Sequence, residues 1–406
     1  MRLFKRIAAA VCAVAVAVSV AGCANVTKMG TIEGKEINAG VYLWFINAAM
    51  DDAQTEVDNQ LSDMGTSATK IPNFSYFDYN VQEKPYKQFV EEKTLELVKQ
   101  HVAIEKKCEE LGLTLSAEEE KAIKESAKTL WNTDIEYYGY TIGMTYGESY
   151  EQAGISRQSY IQVQRVNSLR NKLFDKYYEE NGLTPTDQKD IEVYFEDNYG
   201  RFQVIQVALT DAKGDKIETD QGKADKLKQA EGYLDRLLKG EDYDVVYHDY
   251  EKYLKEQEKA AKEEEEKNNS NTSSDKTSST TTSSKTESKA EDDKTSSGSS
   301  EEEEDEHDHD FLLNKADTSP SADFIKWAFE LKDNEGKIYK DTNVYYVVVR
   351  KPMKEREDWY EEYRSDLIHE MKDGEFNEKL NEFAKDYVVD FSDAALDAYK
   401  PENIKR

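Results

Sequence analysis

Apolar residues recur at helical spacing along much of this chain. Between residues 91 and 111 they fall at Leu97, Ile104, Cys108 and Leu111, with Leu95, Val98 and Val102 beside them. Intervals of three and four put these side chains on one broad stripe of a helix, and such a stripe must be buried. Gly112 stands where that helix would stop, and Ser116 with Glu119 has the form of a capping box for the next. Residues 156–178 repeat the pattern through Tyr160, Val163, Val166, Leu169 and Leu173. Thr184-Pro185 predicts a further start, Thr as N-cap and Pro in the first turn, with Ile191, Tyr194 and Phe195 facing inward. The period changes at Phe202. Residues 202–209 read as a short strand, 224–238 as an amphipathic helix and 324–331 as one or two helical turns. Residues 343–350 read as a strand rich in β-branched and aromatic side chains. Helical spacing returns over 355–386 at Trp359, Tyr363, Leu367, Met371, Phe376, Leu380 and Phe383. A terminal helix of this kind needs an apolar partner elsewhere, most simply the early helices. The expected fold class is therefore α+β: a mainly helical domain built from N- and C-terminal segments, plus a small α/β module.

Two regions depart from this patterning. Across residues 255–310 the only hydrophobic side chains are three alanines, amid Ser, Thr, Asn, Lys, Glu and Asp. Such a tract cannot bury enough surface to offset its ordering entropy, so disorder is expected. Its acidic end, residues 301–310, reads as a solvated charge run rather than a cation site. At the other extreme, residues 7–21 form an apolar run after Arg2, Lys5 and Arg6, the layout of a secretory signal and too short for a comfortable membrane span. It ends in Val20-Ala21-Gly22-Cys23, which resembles the lipobox of bacterial lipoproteins. That resemblance implies cleavage before Cys23, lipid on that cysteine, and a protein tied to the extracytoplasmic face of a membrane. Residues 1–22 are then the signal peptide and 23–30 a tether.

Charge and chemistry narrow the function. With 84 acidic and 54 basic residues the formal net charge is −30, which excludes nucleic-acid binding and disfavours contact with anionic headgroups. Of three cysteines, Cys12 lies in the signal and Cys23 at the lipid site, so only Cys108 remains for the folded body and no internal disulfide is available. Cys108 lies on the helical stripe and reads as a buried structural thiol. None of the histidines, His101, His248, His307, His309 and His369, sits in a zinc-ligand spacing. There is no Gly-x-Ser-x-Gly elbow and no phosphate loop. No metal and no cofactor is expected.

Several segments, taken in order, resemble the SurA/PrsA-type extracytoplasmic foldases. Thr31-Ile32-Glu33-Gly34-Lys35-Glu36-Ile37-Asn38 followed by Tyr42-Leu43 is similar to their opening strand and first helix, and residues 92–116 to the next helix and turn. Residues 190–202 resemble the helix leading into their parvulin-type isomerase module. Residues 230–250, 322–331 and 343–350 resemble that module's first helix, second helix and last strand. The resemblance implies a helical chaperone domain over 31–198, a parvulin-like module over 199–254 and 311–352, a disordered insertion at 255–310, and C-terminal helices over 353–406 returning to the first domain.

The chain also departs from the family. Parvulin isomerases carry one histidine in the first strand and one in the last; here those positions hold Gln206 and Tyr346, and the glycine-rich turn before the second helix is absent. Phe324 and Phe329 match the apolar part of that fold and are the candidates to line a proline pocket, with core packing as the alternative role. The leading expectation is a lipid-anchored chaperone or foldase for unfolded or nascent exported polypeptides, with isomerase activity weak or lost. An active peptidyl-prolyl cis–trans isomerase with an altered site is the second reading, and a solute-binding or adhesive surface lipoprotein the third.

Overall fold

The structure, a computed structural model, describes residues 28–137, 140–271 and 310–404. The expected signal peptide, Cys23 and most of the 255–310 tract lie outside these residues. The chain divides into two compact units. One holds the described residues up to Asp187 together with those from Ile368 onward; the other spans Gln188–Leu367. The fold class is α+β, with helices dominant and every strand pairing antiparallel.

The first unit opens on a hairpin, Lys28–Ile32 (β1) and Lys35–Asn38 (β2), turned by Glu33-Gly34. Asn38 then caps helix Ala39–Asp63 (α1), its side-chain oxygen accepting from the Val41 amide at 3.0 Å. A minimal hairpin, Asn80–Val81 (β3) and Lys84–Pro85 (β4), leads into helix Tyr86–Leu111 (α2), which ends at Gly112 as the sequence predicts. Ile46, Met50, Ala53, Val57 and Leu61 of α1 pack with Tyr86, Val90, Val98 and Val102 of α2 in one core. The Ser116–Glu119 capping box is present and starts helix Ala117–Trp131 (α3). An unforeseen hairpin follows, Asp134–Tyr137 (β5) and Tyr140–Thr145 (β6), then helices Tyr146–Gln152 (α4) and Arg157–Tyr178 (α5). Cys108 is buried against α5, its thiol 3.5 Å from the Leu169 carbonyl, and burial pushes its pKa up to about 11. It is an inert packing residue.

His101 is enclosed in the same unit, 2 % exposed, with its ring edge-on to Phe45 and Nε2 without a hydrogen-bond partner. Burial, with the nearby Lys35 charge adding to it, pushes its pKa from 6.5 down to about 4. The folded state therefore holds neutral imidazole where the unfolded chain would take a proton. Its contribution is complete above pH 6.5 and is lost as pH falls from 6.5 towards 4. The loss is about 2 kcal/mol between neutral pH and pH 5. His101→Leu should flatten that part of the stability–pH curve in urea titrations. Parallel curves for parent and variant would refute this.

The second unit begins with helix Gln188–Asn198 (α6), later than Thr184-Pro185 suggests. The amides of Thr184 and Thr186 are spent on the carbonyls of Tyr177 and Tyr178 at the end of α5, so these residues close one helix instead of opening another. Strand Tyr199–Ala208 (β7) precedes helices Asp220–Leu238 (α7) and Tyr243–Asn271 (α8). Helix α8 corrects the expectation of disorder from residue 255. Its Lys-, Glu- and Ala-rich extension has high helix propensity and needs little burial to persist. The Glu258–Lys262 pair lies at i,i+4 along it. The chain re-enters the sheet at Asp310–Asn314 (β8), then forms helix Ala322–Phe329 (α9) and strands Gly336–Lys340 (β9) and Val344–Lys351 (β10). Strand order is β8-β7-β10-β9. Alternation along β7 and β10 splits the side chains between two faces. Ile205, Val207, Val347 and Val349 meet Leu237, Tyr243, Val246 and Tyr250 of α7 and α8, while Phe202, Val204, Tyr346 and Val348 meet Phe324, Ile325 and Ala328 of α9.

Helix Glu357–Ala384 (α10) follows, and its part from Ile368 onward belongs to the first unit. There His369 stacks on Phe174 at 3.8 Å between ring centroids, and Phe376 meets the same ring edge-on. Strand Val389–Phe391 (β11) pairs with β1, and helix Asp393–Ala398 (α11) closes the chain's path. The Glu33 carboxylate accepts from the Val388 amide at 2.8 Å and lies 3.3 Å from Lys106, fixing the β1–β11 junction. Among the described residues, no helix is long and apolar enough to cross a membrane.

Candidate functional site

The β7–β10 register sets Gln206 directly opposite Tyr346. Both point to the α9 face, where Phe202 is fully buried but Gln206, two pairs along, is exposed. The helix cover thus ends at Tyr346, whose ring lies 4.9 Å from that of Phe324. Beyond it opens a cleft of about 590 Å³. Its walls are Val204, Gln206 and Tyr346 from the inner strands, Phe311 and Leu313 from β8, Phe324, and the turn Asp317-Thr318-Ser319-Pro320. Two α8 phenols hold this part of β7 from behind: Tyr243 donates to the Val204 carbonyl at 2.8 Å, and Tyr250 donates to that of Gln206.

The sequence-derived residues are therefore partly gathered. Gln206, Tyr346 and Phe324 share the cleft; Phe329 does not line it. Its ring packs edge-on against Phe202 at 5.3 Å and lies under the Arg350 guanidinium. Arg350 also donates to the carbonyls of Phe329 and Leu331, satisfying the end of α9. Phe329 is thus half-buried and packs against the core of this unit. Burial raises the pKa of Tyr346, with the Asp341 charge acting in the same direction, so its phenol stays protonated at neutral pH and can donate. Gln206 can donate and accept. The cleft can grip an apolar side chain and hydrogen-bond an amide beside it. Its walls contain no cysteine and no histidine. Among the described residues, no group of three His, Cys, Asp or Glu could hold a metal ion.

A larger cleft, about 770 Å³, lies in the helical unit, and sequence reasoning did not single out its residues. Trp44, Asn47, Ala48 and Asp51 contribute one face of α1, at i, i+3, i+4 and i+7. Met144 of β6 and Ser149, Tyr150 and Ile155 of the following segment complete it. Trp44, Trp131, Tyr150 and Tyr160 form an aromatic cluster behind this wall, each ring within 5.8 Å of at least two others. The Trp131 indole donates to Glu151 at 3.0 Å. On β6, leading to Met144, Tyr140 and Ile142 are 78 % and 55 % exposed. The available signal was a second helical stripe on α1 beside the buried one; it is short and half polar, so it reads as ordinary surface.

Fold and clefts together define an α+β protein with apolar, aromatic-walled openings. No protein-family model and no curated protein sequence matches the chain. Solved structures similar to it include the foldase protein PrsA from Lactococcus lactis, at 12% identity and TM-score 0.35, covering 93% of this chain and 100% of that one. The foldase protein PrsA from Streptococcus pneumoniae str. Canada MDR_19A is similar at 14% identity and TM-score 0.34, with 80% and 98% covered. PrsA from Bacillus subtilis is similar at 16% identity and TM-score 0.26, with 75% and 86% covered.

Proposed function

We propose that this chain is a membrane-anchored extracytoplasmic chaperone or foldase that binds exported polypeptides before they fold. The observation that carries the reading is the helical-unit cleft, walled by Trp44 and Tyr150 and approached by the exposed Tyr140 and Ile142. Rigid aromatic walls offer contact area at low entropic cost, and polar tips tolerate water when the cleft is empty. Exposed apolar residues grouped beside a cleft suit extended, unfolded segments. The anchor is lipid on Cys23, which the lipobox-like Val20-Ala21-Gly22 supports; Cys23→Ala should release the protein from membranes, and continued tight retention would contradict the anchor. The purified chain should delay aggregation of an unfolded client without ATP, and Tyr140→Ser with Ile142→Ser should weaken that effect. No delay at several-fold excess would sink the reading.

A second reading, prolyl isomerisation, is favoured by one observation: the sheet-unit cleft is open at the Gln206–Tyr346 pair instead of filled. Rotation about a peptide bond meets a barrier of about 18–20 kcal/mol and breaks no bond, so no nucleophile is required. An apolar seat beside hydrogen-bond donors could favour the twisted amide over the planar one. Proline-limited refolding separates the readings. An unchanged slow phase removes catalysis and leaves client holding untouched.

A further inference from the structure

The two clefts share a feature that holding apolar segments does not require. The wall of each contains a single charged side chain, and in both it is an aspartate: Asp51 in the helical unit, Asp317 in the sheet unit. Neither wall contains lysine or arginine. A third cleft, of about 510 Å³, shows the contrast, since Lys354 and Arg356 line it together with Glu192, Glu196 and Glu361. Asp51 is exposed and follows Trp44, Asn47 and Ala48 along one face of α1, so a carboxylate stands on the same cleft wall two helical turns from the tryptophan. Asp317 is also exposed. One of its oxygens accepts from the Asn314 amide at 2.8 Å, which holds the carboxylate at the rim near Phe311 and Leu313.

Such walls fit a cationic side chain better than a neutral or acidic one. The methylene stem of lysine or arginine lies along apolar surface while its head reaches a carboxylate. The aromatic rings of Trp44 and Tyr150 in the helical-unit wall suit a cation, whereas an acidic residue would be repelled by the aspartate. The net charge of −30 draws cationic segments towards the surface as a whole but does not choose where they seat.

We propose that both clefts select extended segments in which lysine or arginine stands next to an aromatic or aliphatic residue. This rests on the client-binding reading above and names the chemistry of the client. The test uses the mature chain and two labelled peptides of identical composition and net charge. In one, lysine adjoins phenylalanine; in the other it sits at the far end. Fluorescence anisotropy should show the first binding about fivefold more tightly, the scale of one partly exposed charge contact. Asp51→Asn combined with Asp317→Asn should abolish the preference, while Asp63→Asn combined with Asp215→Asn, an equal charge change at exposed positions outside both walls, should preserve it. Equal binding of the two peptides by the parent, or a preference that survives the double substitution, overturns the proposal and leaves client binding standing. If neither peptide binds, the client reading itself falls.

Discussion

Gly30→Val is expected to cost the helical unit more than about 4 kcal/mol, enough to abolish its cooperative unfolding transition. Gly30 sits in the middle strand of the β11-β1-β2 sheet, opposite Phe391, with φ of +143°. Side-chain-bearing residues rarely adopt that backbone conformation. Space is also lacking: a Cβ there would lie 2.0 Å from the Asp390 carbonyl oxygen and 2.7 Å from the Phe391 Cα. Both are backbone atoms of the paired strand, so no rotamer change can relieve the clash, and β11 must leave. With it go the Glu33–Val388 hydrogen bonds and the cover over Met29, whose carbonyl accepts from Ser392. Gly34 provides the comparison. It has φ of +76° but nothing within 4 Å of its missing Cβ, so Gly34→Ala should cost only about 1 kcal/mol. Urea unfolding, together with tryptic release of the C-terminal segment, measures both. Equal midpoints for the two variants would refute the argument.

The second large effect lies in the sheet unit. Arg201 of β7 forks onto the Asp310 carboxylate at the start of β8 and reaches Glu355 with its other nitrogen at 3.0 Å. The Arg201 and Asp310 side chains are only 11 % and 8 % exposed. Arg356 also lies beside Asp310, at 3.8 Å. Arg201→Met removes the nearest cation from a nearly buried carboxylate and leaves its charge less compensated, at a cost of about 3 kcal/mol. Adding Asp310→Leu should recover most of it, because the penalty is the under-compensated charge rather than the absent bond. Hydrogen exchange of the β7 and β10 amides reads the local stability. A double variant no more protected than Arg201→Met would show that packing, not charge, holds β8.

Local signals were legible where the chain itself satisfies them. The Ser116–Glu119 box, the Gly112 stop and the α2 and α5 stripes depend on residues within one or two turns, so the sequence displays them directly. Strands β7 and β10 were legible because both are rich in β-branched and aromatic side chains. Strands β8 and β11 were not: Asp310–Asn314 and Val389–Phe391 are short, and each is a strand only because a distant partner supplies its hydrogen bonds. Helix α8 runs past residue 255 because backbone propensity sustains a helix that hydrophobic patterning cannot see. In the sheet-unit cleft, Gln206 and Tyr346 were placed by resemblance and meet through register, whereas Phe329 differs from Phe324 in which way α9 turns its side chain. The Trp44 cleft arises from the meeting of α1 with α4 and β6, a tertiary fact with only a faint trace in the spacing.

The pairing of Gly30 with Phe391 also has a consequence in time. Strand β1 ends at Ile32 and β11 starts at Val389, so the three-stranded sheet of the helical unit can close only once the whole stretch between them has been made. Gln188–Leu367 draws its contacts from one uninterrupted stretch and needs no such delay. Made from the amino end, the sheet unit can reach its final form while the helical unit still lacks a strand, and the long loop between β1 and β11 closes afterwards. The helical unit would thus pass through an unfinished stage in which the outer edge of β1 stays unpaired until β11 arrives.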